Sequence, residues 1–358
     1  MTTAAEASVR RAVAPATRLL GPVRAATLGF ALLGLLTLWV TMTASSSEIF
    51  VLTTIYLACI GAIGLNLLMG TAGQPSIGNA AFVATGAFSC IALQRLGLPI
   101  VASIVLAAVA SGLVGLVVGL PAMRLSGIHL ILATLAAHFI VLFVAQTYEE
   151  HAVGATGFLI RPTFSEYGRV GASQRWAWLL YGIVTAVAIV ALKLQGQRAG
   201  RAWRVIRDHE IAAPTLGIRV TRYKLAAFAI SSMIIGLQGA LTVQLVGSLS
   251  YENFTLVAAV LPIEMIIIGG LDSVAGAVIG AFIITYLPTR LPDLAAIFVS
   301  EAESTTRGAQ LALIVNGILL VVFILVCPFG IAGATTRAIH RVRNRRLERL
   351  ADNVGADA

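Results

Sequence analysis

Ten apolar runs divide the chain, near 25–43, 51–70, 77–94, 99–120, 129–147, 176–194, 225–247, 256–271, 274–289 and 309–327, and only two charged side chains, Lys193 and Glu264, fall inside them. A helix that crosses about 30 Å of hydrocarbon needs roughly 20 apolar residues, because each adds about 1.5 Å of rise. Runs of this length and spacing leave one fold class, an all-α polytopic membrane protein of about ten transmembrane helices. With 58% hydrophobic and 11% charged residues and a mean hydropathy of +0.92, the chain lies well outside soluble globular composition, where about a quarter of residues are charged.

Sidedness follows from the basic residues. If the tail carrying Arg10, Arg11, Arg18 and Arg24 is cytoplasmic, ten alternating crossings return the tail carrying Arg337, Arg341, Arg343, Arg345, Arg346 and Arg349 to the same side. The loops then on the inside hold Arg124 and the series from Lys193 to Lys224. In all, nineteen of the 25 Lys and Arg lie inside, as the positive-inside rule requires. The expected organisation is a basic cytoplasmic tail over 1–24, a membrane domain over 25–330 with a cytoplasmic loop at 195–224, and a second basic cytoplasmic tail over 331–358. The first run is long for a cleavable leader and reads as a retained anchor. Because topology accounts for the charge of +9, a nucleic-acid partner is not expected, whereas contact with membrane lipid is.

Cys59, Cys90 and Cys327 all sit in apolar runs and read as small core residues. His129 and His138, nine residues apart on one helix, fall on opposite faces and cannot share a metal; each reads as an interior, hydrogen-bonded histidine. No metal site is expected. Neither a G-x-x-x-x-G-K-[ST] phosphate loop nor a G-x-S-x-G elbow occurs, so the chain has no ATP site of the P-loop kind and no sign of an enzyme.

Between the second and third runs, GTAGQPSIGN interrupts the apolar sequence without a single charge. Gly, Pro, Ser and Asn let the backbone leave helical geometry at membrane depth, which is tolerable only where the freed groups meet protein or a water-filled cavity. Gly73, Gln74, Ser76 and Asn79 are therefore candidate pathway residues; the alternative is a tight uncharged turn between two spans. The spacing G-x-x-S-x-x-N recurs at Gly247, Ser250 and Asn253, on the opposite side by the span count, which makes a five-plus-five inverted repeat a candidate architecture. Glu264, the one carboxylate inside a span, is a second pathway candidate or a polar clamp to a neighbouring helix, and Pro262 suggests a broken or kinked helix there. In GLVGLVVG and GAVIG, the glycines at 112, 115 and 119 and at 276 and 280 have the spacing of close helix contacts.

The loop QGQRAGRAWRVIRDHEIAAPTLGIRVTRYK alternates apolar and charged residues as short amphipathic helices at the membrane surface would, with Gly217 placed to close the second. Attraction to anionic lipid would not need its apolar stripe, nor Asp208 and Glu210. Here a resemblance becomes specific. RDHEIAAPTLGIRVTRYKLAAFAISS, GLNLLMGTAGQPSIGNAAF and GSLSYENFTLVAAVLPIEMIIIGGLDSVAGAVIGAF together resemble the permease subunits of ABC importers for branched-chain amino acids, the LivM type, from about Leu57 to Phe329.

The resemblance implies a bacterial inner-membrane permease with both termini cytoplasmic. Its implied partners are a second membrane permease subunit, a different subunit in a heterodimer or a second copy of this chain, two cytoplasmic ATPase subunits that bind the ATP, and an extracytoplasmic substrate-binding protein. It implies a coupling role for Arg207, Asp208, Glu210, Ala212, Ala213 and Gly217, in a loop that docks on the ATPase, and places Gly73, Gln74, Ser76 and Gly78 near the pathway. Gly269 and Gly270 match the family's glycine pair. This chain departs from the family at Pro75 and Asn79, where Leu and His are common, at Pro214, where a helix-friendly residue is common, and at Asp272, where Gly is common. Since Pro214 lacks an N–H, a coupling helix here is expected to start late or to kink. Tyr148–Arg175 and Pro288–Gly308 are the outer loops expected to meet the binding protein. The competing reading is an ion-coupled secondary transporter using Glu264; it has no need of the coupling loop.

Overall fold

The second run becomes the axis of the molecule. The computed structural model describes residues 22–160, 163–164 and 168–295, and beyond these 314–315, 317–318, 321–322, 325 and 330–333. Helix α2 (Ser46–Leu65) starts on a capping box in which the Ser45 hydroxyl accepts from the Glu48 N–H and the Glu48 carboxylate accepts from the Ser45 N–H. It continues through a π-helical stretch, Asn66–Thr71. Over its apolar core 83% of its residues are buried, because four other helices surround it.

Helix α1 (Pro22–Thr43) precedes it. After it come α3 (Asn79–Arg95), α4 (Ile100–Gly119), α5 (Ile128–Val153) and α6 (Gly168–Gly196). A short α7 (Arg198–Asp208) leads to α8 (Val220–Val246), α9 (Leu256–Gly269) and α10 (Val274–Ala295). Helices α6, α8, α9 and α10 enclose α2, and α8 packs in turn on α3 and α4. Nine of the ten expected spans thus correspond to helices, and the protein is an all-α polytopic membrane protein. The tenth run, the two basic tails and Cys327 lie outside the described residues or almost so.

Five helical segments are long and apolar enough to cross a membrane, and shorter apolar helices accompany them at 33–43, 256–269 and 274–289. Helix α3, with 17 residues, is less apolar than its neighbours. It can be, because α4, α5 and α8 cover it and its Asn79 is buried. Helix α5 is the opposite case: only 22% of its apolar core is buried, leaving Leu132, Phe139, Ile140 and Phe143 on the outside. Such side chains suit lipid, which is as apolar as they are.

Without a solvent-driven hydrophobic force between helices, close backbone approach and interhelical hydrogen bonds hold a bundle like this together. The expected glycine contacts occur. Gly115 of α4 lies against Ser232 of α8 and Gly119 against Phe228; Gly276 of α10 lies against the carbonyl of Gly269. Ser111 Oγ on α4 sits 3.0 Å from the carbonyl oxygen of Phe82 on α3 and 2.8 Å from that of Ser232 on α8, and Ser231 Oγ donates to the Gly64 carbonyl of α2 at 2.7 Å. Cys59 and Cys90 are buried free thiols, as expected.

The connections sort onto two ends. At one end the segment after α2 meets the α6–α8 connection and the α9–α10 turn. At the other, a two-residue strand β1 (Phe158–Leu159) pairs antiparallel with β2 (Ser248–Leu249), and the buried Glu149 carboxylate accepts from the Tyr251 N–H at 2.7 Å. This matches the alternation expected from the charges. It also changes the picture of the loop that starts at Tyr148: Tyr148 and Phe158 stack on each other beside Phe88, and Glu149 is only 1% exposed, so the beginning of that loop is packed into the protein.

The two G-x-x-S-x-x-N segments have matching surroundings. Each follows one of the two most buried long helices, α2 or α8, and each opens on a left-handed glycine, Gly73 (φ 64°) and Gly247 (φ 75°). Moreover, α8 packs on α3 and α4 as α2 packs on α9 and α10. That is the contact pattern an inverted repeat produces. Pro262 does not break α9, which runs continuously through it; the missing N–H costs the helix one hydrogen bond.

Candidate functional site

The uncharged break is buried and most of its polar groups are spent within the chain. As α2 widens into its π-helical stretch, the Ala72 N–H reaches the Leu67 carbonyl and the Gln74 N–H that of Leu68, both at 3.0 Å. Gly73 takes the left-handed turn. Farther on, the Ile77 N–H donates to Thr134 Oγ1 of α5 at 3.2 Å and the Gly78 N–H to Ser76 Oγ at 3.3 Å. Gln74 Nε2 donates to the Ala72 carbonyl, but Gln74 Oε1 and Asn79 Oδ1 are buried acceptors without a partner in the chain. Glu264, midway along α9 and 7% exposed, likewise has one oxygen without a partner. His138 is fully buried with neither ring nitrogen bonded, and His129 is exposed, so the expectation of two hydrogen-bonded interior histidines does not hold. Among the described residues no cluster of His, Cys, Asp or Glu could hold a metal ion.

Against this break lies α7. Its apolar stripe, Ala202, Trp203 and Ile206, is buried, and Trp203 packs in a cluster with Leu68 and Ala72 of the α2 end and Phe228 of α8. The indole N–H of Trp203 donates to the Tyr223 carbonyl at 2.8 Å. The amphipathic helix expected on the membrane surface is thus turned onto the protein itself. A Cβ at Gly73 would collide with Arg207 Cγ and stand 2.7 Å from its Cβ. In this way the structure brings a residue expected in the pathway against one expected in the coupling loop.

A polar cluster joins the two. Asp272, in the α9–α10 turn with φ 63°, accepts from Arg204 Nε on one oxygen at 2.9 Å and from Thr71 Oγ1 on the other at 2.9 Å, and Arg207 Nη1 stands 3.4 Å from the first. Arg207 Nη1 also donates to the Gly70 carbonyl at 2.6 Å, and Gln195 Nε2 to Thr71 Oγ1 at 2.9 Å. Burial by itself would lower the Arg207 pKa, but the carboxylates of Asp208 and Asp272 outweigh it and raise the value above the ordinary one, so its charge is secured. Asn66, 1% exposed, completes the cluster by accepting the Asp272 N–H at 2.9 Å and donating to the Ser273 carbonyl at 2.8 Å.

Replacing Asn66 by Leu orphans both groups, and an unsatisfied buried group costs about 1–3 kcal/mol. The expected result is a clear drop in the midpoint of thermal unfolding in detergent, and an unchanged midpoint would show that the turn is held by other contacts.

The second half of the loop departs from the expected helix. After α7 the chain forms only a 3-10 turn, Ala213–Leu216, which closes on left-handed Gly217 (φ 76°). Pro214 supplies no N–H, so an α-helix through it would lack one of its hydrogen bonds, and the segment forms the shorter 3-10 turn instead. Of the residues expected to couple, Ala213 is fully buried and Glu210 is ion-paired at 2.6 Å with Lys224, whose side chain is 2% exposed. Asp208 pairs with Arg207 at 2.9 Å. Ala213 and Glu210 fasten the loop to the bundle, whereas Asp208 pairs with its own neighbour. Of the expected coupling residues Asp208, Ala212 and Gly217 are exposed, and beside them the free surface is made by Ile211, Pro214, Thr215 and Leu216, of which Ile211 is 96% and Leu216 68% exposed.

Four features went unread in the sequence: the Asp272 hub, the Lys224–Glu210 pair, the β1–β2 pair, and a cavity of about 850 Å³ at the opposite end, lined by Trp39, Glu48, Ile55, Phe282, Tyr286 and Thr289. Asp272 alone carried a signal, as a charged residue just after Gly269 and Gly270.

A polytopic bundle built around one buried helix that widens and breaks among uncharged polar groups is the architecture of a membrane permease. The chain belongs to the family described as branched-chain amino acid transport system / permease component, which matches residues 47–324. Among curated proteins it is 29% identical over 280 residues to the high-affinity branched-chain amino acid transport system permease protein LivM of Salmonella typhimurium strain LT2. The match covers 71% of this chain and 65% of that protein. LivM of Escherichia coli strain K12 is 28% identical over the same shares, so the chain spans about 65% of the length of either relative. A probable branched-chain amino acid transport permease protein LivH of Methanocaldococcus jannaschii is 24% identical over 293 residues, 78% of this chain and 90% of that one. No solved structure matches the chain.

Proposed function

We propose that this permease is the membrane-spanning subunit of an ATP-driven importer for branched-chain or related amino acids, with its ATP bound by separate cytoplasmic subunits. The observation that carries the reading is the form of the 195–224 loop. Its root is ion-paired and packed onto the bundle beside the break in α2, while its tip offers Ile211, Pro214 and Leu216 to a partner outside the chain. An apolar tip on a rigid root is what a docking element needs if it is to pass force inward.

In this reading the end bearing the loop is cytoplasmic, consistent with its Arg content, and both termini lie on that side of a bacterial inner membrane. A second permease subunit completes the conduit, and a binding protein delivers the amino acid to the end that bears β1 and β2. Gly73, Gln74, Ser76, Asn79 and Glu264 line or border the conduit. The unpartnered oxygens of Gln74 and Asn79 would accept from an ammonium group without holding it by a full charge, which favours onward release.

The test is purification of the chain from its native host in mild detergent, followed by mass spectrometry. A P-loop ATPase should be retained together with a second permease. A second reading, an ion-coupled secondary transporter, has one observation in its favour, the unpartnered Glu264 oxygen. Recovery of the chain without an ATPase, with uptake into liposomes driven by a proton or sodium gradient, would overturn the importer reading in its favour.

A further inference from the structure

Asp272 stands at the one place where the loop, the end of α2 and the α9–α10 turn meet. We infer that it is a positioning residue of the transport cycle, a clasp through which movement of α7 reaches the π-helical end of α2; the cycle itself rests on the importer reading above.

Three observations carry this. First, Arg204 and Arg207 are three residues apart on α7 and so share a face, and both reach Asp272, while Arg207 also holds the Gly70 carbonyl. Helix α7 therefore cannot shift without either dragging Asp272 and Gly70 or breaking these bonds. Second, Asp272 ties the turn to α2 as well, since its carboxylate accepts from Thr71 and its N–H donates to Asn66. The far side of the clasp is the segment in which α2 leaves α-helical geometry, and π-helical turns of this kind are frequent at functional sites. Third, the ion pairs are half-open to water: the Arg204, Arg207 and Asp272 side chains are 36%, 30% and 23% exposed. Full burial would lock such a cluster and full exposure would leave it nearly without effect. The intermediate setting suits contacts that are made and broken in a cycle.

The positive φ supplies a clean test, because Gly and Asn tolerate the left-handed region, and either can replace Asp272 without backbone strain. Hydrogen–deuterium exchange is measured on the full-length chain in lipid nanodiscs for wild type, Asp272→Gly, Asp272→Asn, Arg204→Gln and the double variant Asp272→Gly with Arg204→Gln. Exchange should rise about tenfold or more at residues 66–78 and at 198–208 together in Asp272→Gly and in Arg204→Gln, and less in Asp272→Asn, which keeps an acceptor for Thr71. The double variant should be within about twofold of the stronger single one, as expected for two residues acting through one bond. A rise confined to 270–275, or effects that multiply in the double variant, would overturn the clasp.

Its part in transport is read separately, from solute moved per ATP hydrolysed in the reconstituted complex. That ratio should fall about tenfold in Asp272→Gly while the ATPase still co-purifies; an unchanged ratio would overturn the positioning role. If wild type retains no ATPase, the importer reading fails on its own account, and the exchange experiment still decides whether the clasp exists.

Discussion

On the importer reading, changing Ile211 and Leu216 together to aspartate should reduce uptake of the transported amino acid to background while the amount of protein in the membrane stays the same. Both side chains lie at the tip of the loop, 96% and 68% exposed, so neither contributes to the packing of the bundle. The root that positions the tip is untouched: Ala213 stays buried, Glu210 stays on Lys224, and Gly217 keeps its left-handed turn. If the tip inserts into a partner, each aspartate brings an unpaired charge into a desolvated contact. An interface hot spot costs about 2 kcal/mol or more on truncation, so if the tip anchors the contact the pair should weaken docking by at least about 100-fold. The measurements are uptake in whole cells, membrane protein by immunoblot, and retention of the ATPase on purification. Full uptake with normal protein would remove the tip from the coupling path and, with it, the observation on which the importer reading rests.

That Arg207 and Glu210 are held by ion pairs while Ile211 and Leu216 stand free at the tip could not be read from the sequence of the loop. The helices were legible because each apolar run is a local property, and length and polarity decide it without reference to the rest of the chain. The glycine contacts were legible for the same reason. What the loop residues do depends on partners far along the chain: Arg204 on Asp272, Glu210 on Lys224, Trp203 beside Leu68 and Phe228. An amphipathic stripe signals that one face will be covered and says nothing of whether lipid or protein covers it. The burial of Glu149 was hidden similarly, since a carboxylate beside the membrane end of a helix reads as a solvated loop residue until the Tyr251 N–H is seen to meet it. Of the candidate site, the break itself was legible from its uncharged composition, and its geometric meeting with α7 was not.

Gly86→Leu should remove most of the folded protein, with detergent-soluble monodisperse chain falling about tenfold or more, whereas Gly182→Ala should be indistinguishable from wild type. Helices α3 and α8 cross with their backbones in contact. A Cβ at Gly86 would fall on the Gly236 carbonyl oxygen and stand 2.6 Å from its carbonyl carbon and Cα, and a Cβ at Gly239 would fall on the Val83 carbonyl. Neither obstacle is the flexible end of a side chain, so the only relief is to separate the helices. Separation is costly in a membrane, where association depends on close packing and on hydrogen bonds such as that of Ser111, whose single O–H stands within reach of a carbonyl on α3 and one on α8. Overpacking of a core that can yield costs about 1–3 kcal/mol; here four added carbons meet backbone, and the expected cost is at or above the top of that range. Gly182 on α6 has nothing within 4 Å of a Cβ and separates the steric effect from the loss of a glycine as such. Gly86→Ala should fall between the two, since one methyl already meets the carbonyl. Normal yield from Gly86→Leu would mean that α3 and α8 do not cross at this distance in the membrane, and the enclosure of the less apolar α3 would then need another explanation.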